Sequence, residues 1–452
     1  MDRKGALKIA MATLGCKTNQ SDAAGLASEL VSRGHEIVSF REAADVYIVH
    51  TCTVTQKTDY QSRQLIRRSI AGNPGAQVIV TGCYAQVSPE AILAIPGVDF
   101  VVGVGERGQI PVIVGPKTKR KETVLLSFSV DDERCFEDPG LPRFVERTRA
   151  YLKVQDGCNS FCSYCIVPYA RGRNRSLPLE SALTKARGLS SQRFKEIILT
   201  GIHLGTYGED LVPARSLLHL LQALEGEPLG HRVRLSSVEP TEFNPALIDF
   251  LARSKKVCPH LHIPLQSGDD GVLQRMNRHY SGAHFETLVN RLVQAIPGLA
   301  IGLDVIAGFP GEDEQAFENT VGRIAKLPIA YLHVFPFSAR KGTPAASFSG
   351  QVPSTVIKAC CQTLRELGAE KRKSFYGTFR GKNLRVLVES KKDRQSGMLR
   401  GYSENYIPVL VQAGDEHINQ EVEVRVIEVS GENVIGEILL PQRTQRAQRL
   451  IC

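Results

Sequence analysis

Three cysteines stand within eight residues of a short polar loop, Gly157-Cys158-Asn159-Ser160-Phe161-Cys162-Ser163-Tyr164-Cys165, at spacing C-x₃-C-x₂-C. A structural zinc site wants four protein ligands arranged as two local pairs, and no fourth Cys or His lies close by in sequence. Three thiolates on one loop suit a cubane iron–sulfur cluster instead, with three irons held by protein and the fourth left open. Free cysteine is often simply buried. Three in so short a Gly-led loop are better explained as ligands.

A second set is dispersed. Leu14-Gly15-Cys16, His50-Thr51-Cys52 and Thr81-Gly82-Cys83 each close an apolar run, 36 and 31 residues apart. Between these runs lie amphipathic segments at 22–32 and 57–70, each followed by a stopping glycine, Gly34 or Gly72. Such alternation predicts a doubly wound α/β domain over residues 5–116, with a parallel sheet whose strand ends gather along one edge. The three thiols then meet at that edge, either as a second cluster site or as small core residues.

Composition narrows the setting. The 452-residue chain carries a net charge of +9 and eleven cysteines, an odd count that argues against a disulfide framework. The amino terminus is a poor secretory signal and no apolar stretch approaches a membrane span. The expectation is a cytoplasmic protein with no membrane partner, free thiols and a polyanionic partner, nucleic acid first.

The central cysteine spacing, with Tyr164 just before the last Cys, resembles the signature of the radical S-adenosylmethionine (SAM) superfamily. The phrases LGCKTNQ, HTCTVT and TGCYAQ resemble the amino-terminal domain of its methylthiotransferase branch. Together with GCNSFCSYCIVPYARGR they look closest to the tRNA threonylcarbamoyladenosine methylthiotransferases. That resemblance implies two 4Fe–4S clusters and SAM. One cluster would sit on Cys158, Cys162 and Cys165 and reduce SAM; an auxiliary one on Cys16, Cys52 and Cys83 would handle sulfur. It also implies tRNA, at the anticodon stem-loop, as substrate and an electron donor such as flavodoxin or ferredoxin. The same plan serves relatives acting on isopentenyl-adenosine or on a ribosomal-protein aspartate. A non-catalytic RNA-binding iron–sulfur sensor is the alternative from another class. The oligomeric state stays open, with a monomer expected.

The elements that must position these groups follow. Residues 117–146 read as a charged linker, including Cys135. From 147 to 376, strands at 151–154, 196–199, 232–236, 261–264, 300–307 and 331–337 alternate with helices. This predicts an incomplete (β/α)₆ barrel with its site at the carboxyl strand ends. Each strand there ends in polar or glycine residues. By position these resemble the SAM-holding elements: Thr200 and Gly201 near the amino and carboxylate groups, Ser237 and Glu239 near the ribose, Gln266 near the methionine end, Gly308 at the adenine. Tyr164 of the cluster loop joins this set.

Asp304 is a charge inside an apolar strand, so it is either paired or functional. His203, His260, His262 and His333 are read as satisfied core or cleft side chains. Arg171, Arg173 and Arg175 form a compact basic patch, read as a solvated loop or a phosphate contact. Lys57, Arg63, Arg67 and Arg68, with Tyr60 among them, offer a similar choice. A helix at 353–376 holds Cys360 and Cys361, and residues 377–442 predict a small all-β barrel. Lys371, Arg372, Lys373, Arg380, Lys382, Lys391, Lys392, Arg394 and Arg400 make its leading half basic. It resembles the RNA-binding TRAM-like barrel appended to methylthiotransferases.

Overall fold

A computed structural model describes residues 5–115, 119–130, 135–138, 140–142 and 148–439. Asp131 to Glu133, Pro139 and the tail beyond 439 lie outside the described residues.

The amino-terminal sheet has six parallel strands in the order β2-β1-β3-β4-β5-β6. They are β1 (Lys8–Thr13), β2 (Glu36–Val38), β3 (Val46–Thr51), β4 (Gln77–Gly82), β5 (Phe100–Val102) and β6 (Val124–Leu126). Strands β3 and β4 are buried along their whole length, as a central strand covered on both faces must be. The order reverses between β1 and β3, and a crevice outside the carboxyl ends at such a point is where open α/β sheets bind ligands. β6 corrects the linker reading. Val124–Leu126 pairs in register with β5, although a charged surround and a length of three residues hid it in the sequence.

The central unit is the incomplete barrel. Strands β7 (Arg149–Lys153), β10 (Glu196–Thr200) and β11 (Arg232–Leu235) form one parallel half. β12 (His260–His262), β13 (Ala300–Ala307) and β14 (Tyr331–Pro336) form the other. Single parallel bridges, Val233 to Val257 and Ser237 to His262, join the halves. A short antiparallel pair, β8 (Gln155–Asp156) and β9 (Arg175–Ser176), brackets the cysteine loop. One core of aliphatic side chains from these strands and their covering helices holds the barrel together.

The amino-terminal unit docks where the barrel is open. Its helix Lys17–Ser32 runs beside the edge strand β7. The backbone N–H of Gln56 and its side-chain amide donate to Ser338 Oγ and the Ala339 carbonyl, just past the other edge strand, β14.

The carboxy-terminal barrel is closed in the order β15-β16-β17-β19-β18. Its strands are β15 (Asn383–Lys392), β16 (Leu399–Ser403), β17 (Pro408–Val411), β18 (Glu421–Ser430) and β19 (Asn433–Ile438). β16 carries no strand signal because Arg400, Gly401 and Ser403 interrupt its apolar pattern. Gly401 is required there, since a Cβ would stand 2.6 Å from Val386. This barrel sits at the amino ends of the central strands. Arg149 pairs with Glu389 at 2.7 Å, while Arg232 and Arg234 donate to the carbonyls of Tyr402, Ser403 and Glu404. Of the nine basic residues, Lys392 pairs with Asp415 at 2.9 Å, and two more serve structure. Lys371 donates to carbonyls that close the helix Glu314–Lys326, and Arg372 pairs with Glu432. Lys373, Arg380, Lys382, Lys391, Lys392 and Arg394 remain exposed.

Candidate iron–sulfur and SAM site

Level strand ends bring the dispersed cysteines together. Thr13 pairs with His50 and Thr51 with Gly82, so Cys16, Cys52 and Cys83 leave adjacent strands at one height. Gly15 has φ +100°, and a Cβ there would stand 2.8 Å from Cys52 Sγ. Asn19 fixes the loops by donating to the carbonyls of Leu14 and Thr51. Burial pushes the Cys52 thiol up to about 12 and raises that of Cys83.

Against Cys83 lies a buried charge network. Arg171 Nε donates to Cys83 Sγ at 3.4 Å. Its Nη1 bonds both oxygens of Asp156 at 2.9 Å, and its Nη2 reaches Asp22 at 3.0 Å. Lys153 bridges the same two carboxylates at 2.7 and 2.6 Å, and Arg107 contacts Asp22. Burial alone would raise Asp22, but Arg107, Lys153 and Arg171 hold it well below the usual carboxylate range. The basic patch of the sequence reading is therefore mostly interior: Arg171 and Arg175 are buried. Only Arg173 faces outward, lying over the Phe161 ring at 4.7 Å.

The contiguous loop turns sharply at Gly157, where φ is +71° and a Cβ would stand 1.8 Å from the Arg173 carbonyl. Cys158 Sγ lies 3.4 Å from His203 Nδ1 and accepts from the Ser160 N–H at 3.4 Å. Burial would lower the His203 pKa, yet hydrogen bonds to Cys158 and Glu242 raise it to about 11. His203 is thus a charged neighbour of a sulfur rather than a passive cleft residue. Arg278 Nη1 donates to Cys162 Sγ at 3.4 Å and also pairs with Glu239. Glu239 is thus shared with Arg278, which lies in a short polar turn without a motif.

Neither triad gathers its sulfurs round a point as tightly as a single ion requires. Cubane thiolates stand further apart, each on its own iron. The thiol sets, the glycine cradles and the guanidinium donors to sulfur therefore fit a cubane at each site.

A cavity of about 200 Å³ joins the two loops. Val54 and Thr55, from the Cys52 loop, form one wall, and Tyr164, Cys165, Ile166 and Val167 another. Gln266, Asp304, Phe335 and Phe337 from the barrel complete it. Gln266 sits at φ +63°. Tyr164 meets Phe309 edge-on at 6.4 Å. Thr200 ends β10, and Gly201 follows, with a Cβ there 2.6 Å from the Gln155 side chain. Ser237 bridges to β12. Gly308 has φ +78°, and its missing Cβ makes room for Ile357. Its demand for glycine is thus met by packing against the helix Ser354–Gly377. Lys57, Tyr60, Arg67 and Arg68 are exposed, whereas Arg63 is held by the Tyr84 hydroxyl.

The folded chain is a radical SAM enzyme: the Radical SAM superfamily model matches residues 152–324. The models "Uncharacterized protein family UPF0004" and "TRAM domain" match 8–103 and 377–439. It is 40% identical over 93% of its length, and 93% of the relative's, to the threonylcarbamoyladenosine tRNA methylthiotransferase MtaB of Bacillus subtilis. The MtaB of Aquifex aeolicus is 38% identical over 89% of this chain and 96% of its own. A tRNA-2-methylthio-N(6)-dimethylallyladenosine synthase of Clostridium botulinum is 32% identical over 94% and 95%. Among solved structures, the radical SAM methyltransferase TsrM of Kitasatospora setae shares the fold at TM-score 0.56 and 16% identity, covering 75% of this chain and 77% of TsrM. The chain belongs to the radical SAM methylthiotransferases, in their MtaB-type branch.

Proposed function

We propose that this protein adds a methylthio group to C2 of N6-threonylcarbamoyladenosine beside the anticodon of tRNA. The observation that carries the reading is the cavity touched by both cysteine loops, Val54–Thr55 on one side and Tyr164–Cys165 on the other. The MtaB relatives support the choice of base.

Cys158, Cys162 and Cys165 would hold the SAM cluster, and Cys16, Cys52 and Cys83 the auxiliary one. When bound, these groups supply the radical and the sulfur that an aromatic C–H, too weak an acid for proton chemistry, requires. The chain's own residues bind, orient and exclude water. Arg278 and His203 sit at the sulfurs of one site and Arg171 at a sulfur of the other. Phe335 and Phe337 give a purine an apolar wall. The docked amino-terminal unit closes the barrel's open side against solvent. Thr200, Gly201, Ser237, Glu239, Gln266, Gly308 and Tyr164 are the proposed SAM contacts. The exposed cations on and before the carboxy-terminal barrel suit the RNA backbone. Among the described residues no helix is long and apolar enough to cross a membrane. A cytoplasmic monomer reduced by a flavodoxin or ferredoxin fits this role.

Nucleoside mass spectrometry of tRNA from a host lacking its own enzyme of this kind, with and without this gene, tests the reading. A new methylthio-threonylcarbamoyladenosine peak is expected. A methylthio-isopentenyladenosine peak instead would overturn the substrate and keep the chemistry. Unchanged tRNA with both clusters loaded would overturn tRNA as the substrate and turn the search to a ribosomal protein.

A further inference from the structure

The strands behind the cavity gather a second kind of ligand set. Parallel pairing puts Asp304 of β13 directly opposite His333 of β14. β12 places His262 opposite Gly302, two residues before Asp304 and therefore on the same face of the sheet. Gly302 makes the arrangement possible, because a Cβ there would stand 2.1 Å from the Tyr331 ring. That ring crosses the gap and sets its hydroxyl 3.3 Å from His262 Nδ1 and 2.8 Å from His260 Nε2.

Asp304 Oδ1 lies 2.8 Å from His262 Nε2 and 3.3 Å from His333 Nδ1. All three ligating atoms fall within 4.8 Å of one another. Ligands bonded to one tetrahedral zinc stand roughly 3.3 Å apart, given bonds of about 2.0–2.1 Å. Among the described residues no lysine or arginine forms an ion pair with Asp304. Side-chain exposure rises from 10% at His262 through 23% at Asp304 to 53% at His333. The set is anchored inside and open outward, and Asp304 itself lines the cavity.

We propose that His262, Asp304 and His333 bind one divalent transition-metal ion, separate from both cysteine sites. Two imidazoles and one carboxylate on a single face leave further coordination positions open, beside the cavity that Asp304 lines. An ion so placed can polarise an oxygen of water or of a bound substrate. Tyr331 is a positioning residue, orienting His262 through the nitrogen that the ion does not use.

The test uses enzyme with both clusters loaded, equilibrated with Zn²⁺ and desalted. Plasma mass spectrometry then counts zinc and iron, and zinc K-edge absorption identifies the neighbouring atoms. One zinc per chain with nitrogen and oxygen neighbours and no sulfur is expected. Asp304→Asn and His333→Ala should each weaken binding about 100-fold and leave iron content and circular dichroism unchanged; Tyr331→Phe should weaken it about tenfold, as loss of an outer-shell partner does. Zinc that washes out, that shows sulfur neighbours, or that persists in Asp304→Asn overturns the site. A variant that loses zinc and keeps full methylthio transfer would leave the site standing and show that the reaction does not use it.

Discussion

The two cysteine sites of this molecule are built in opposite ways. The Cys158–Cys165 loop is local: one turn, fixed by Gly157, carries all three sulfurs. The Cys16, Cys52 and Cys83 site is assembled from three strand ends and exists only when β1, β3 and β4 are in register. A local loop presents its sulfurs with little help from elsewhere, whereas a dispersed site depends on the whole sheet and on what packs against it. Here that support comes from the other domain. Arg171, six residues beyond Cys165, the last cysteine of the local loop, donates to Cys83. The helix carrying it, Val167–Arg171, ties one site to the other.

The largest expected effect separates the sites by chemistry. Cys162→Ala should abolish reductive cleavage of SAM, measured as deoxyadenosine release. Cys52→Ala should leave that cleavage in place and stop sulfur insertion into tRNA. Reversed results would show that the two sites had been assigned the wrong way round.

Next comes the tie between them. Arg171→Met leaves Asp156 and Asp22 with one cation fewer in a fully buried network. Breaking such a pair costs about 3–5 kcal/mol. Denaturant unfolding should show that loss, and iron should leave the strand-end site first. An equal loss of iron from both sites would mean that the network is general scaffolding and not specific support for the dispersed site.

The glycine cradles give a smaller, paired effect. Alanine at φ near +70° to +100° costs up to about 3 kcal/mol. Gly15→Ala also pushes into Cys52, and Gly157→Ala into the Arg173 carbonyl. Each variant should keep about half its iron, with opposite sites emptied, as Mössbauer spectra of variants bearing either substitution would show.

Both sets of cysteines stand out in the sequence, for different reasons. Local spacing reveals the loop outright, while the dispersed set needed the strand pattern and the family phrases around it. The barrel strands were equally plain, because buried parallel strands read as apolar runs. What stayed hidden depends on partners far along the chain. Nothing in Arg-Gly-Arg-Asn-Arg says that Arg171 meets Asp22, 149 residues away. Arg278, in a short polar turn, shows no sign of its contacts with Cys162 and Glu239. Asp304 is the intermediate case. Its burial demanded a partner, and only strand register supplied the two histidines.

The smallest effect contrasts the histidines beside the two sites. His203 is kept charged by Cys158 and Glu242, but His50, next to the strand-end site, is kept neutral. Burial lowers it from 6.5 to about 3, outweighing the opposing pull of Asp22. Its two ring nitrogens have no hydrogen-bond partner among the described residues. A folded pKa below the unfolded one means that the unfolded chain takes up a proton the folded chain refuses. The stability at stake is fully present above about pH 6.5 and drains away as pH falls toward 3. At pH 5 the loss from this one residue is about 2 kcal/mol, at about 1.4 kcal/mol per pH unit. His50→Leu should flatten the acid limb of a plot of denaturant midpoint against pH by that amount. A midpoint curve unchanged by His50→Leu would place the acid sensitivity elsewhere and remove this contrast between the sites.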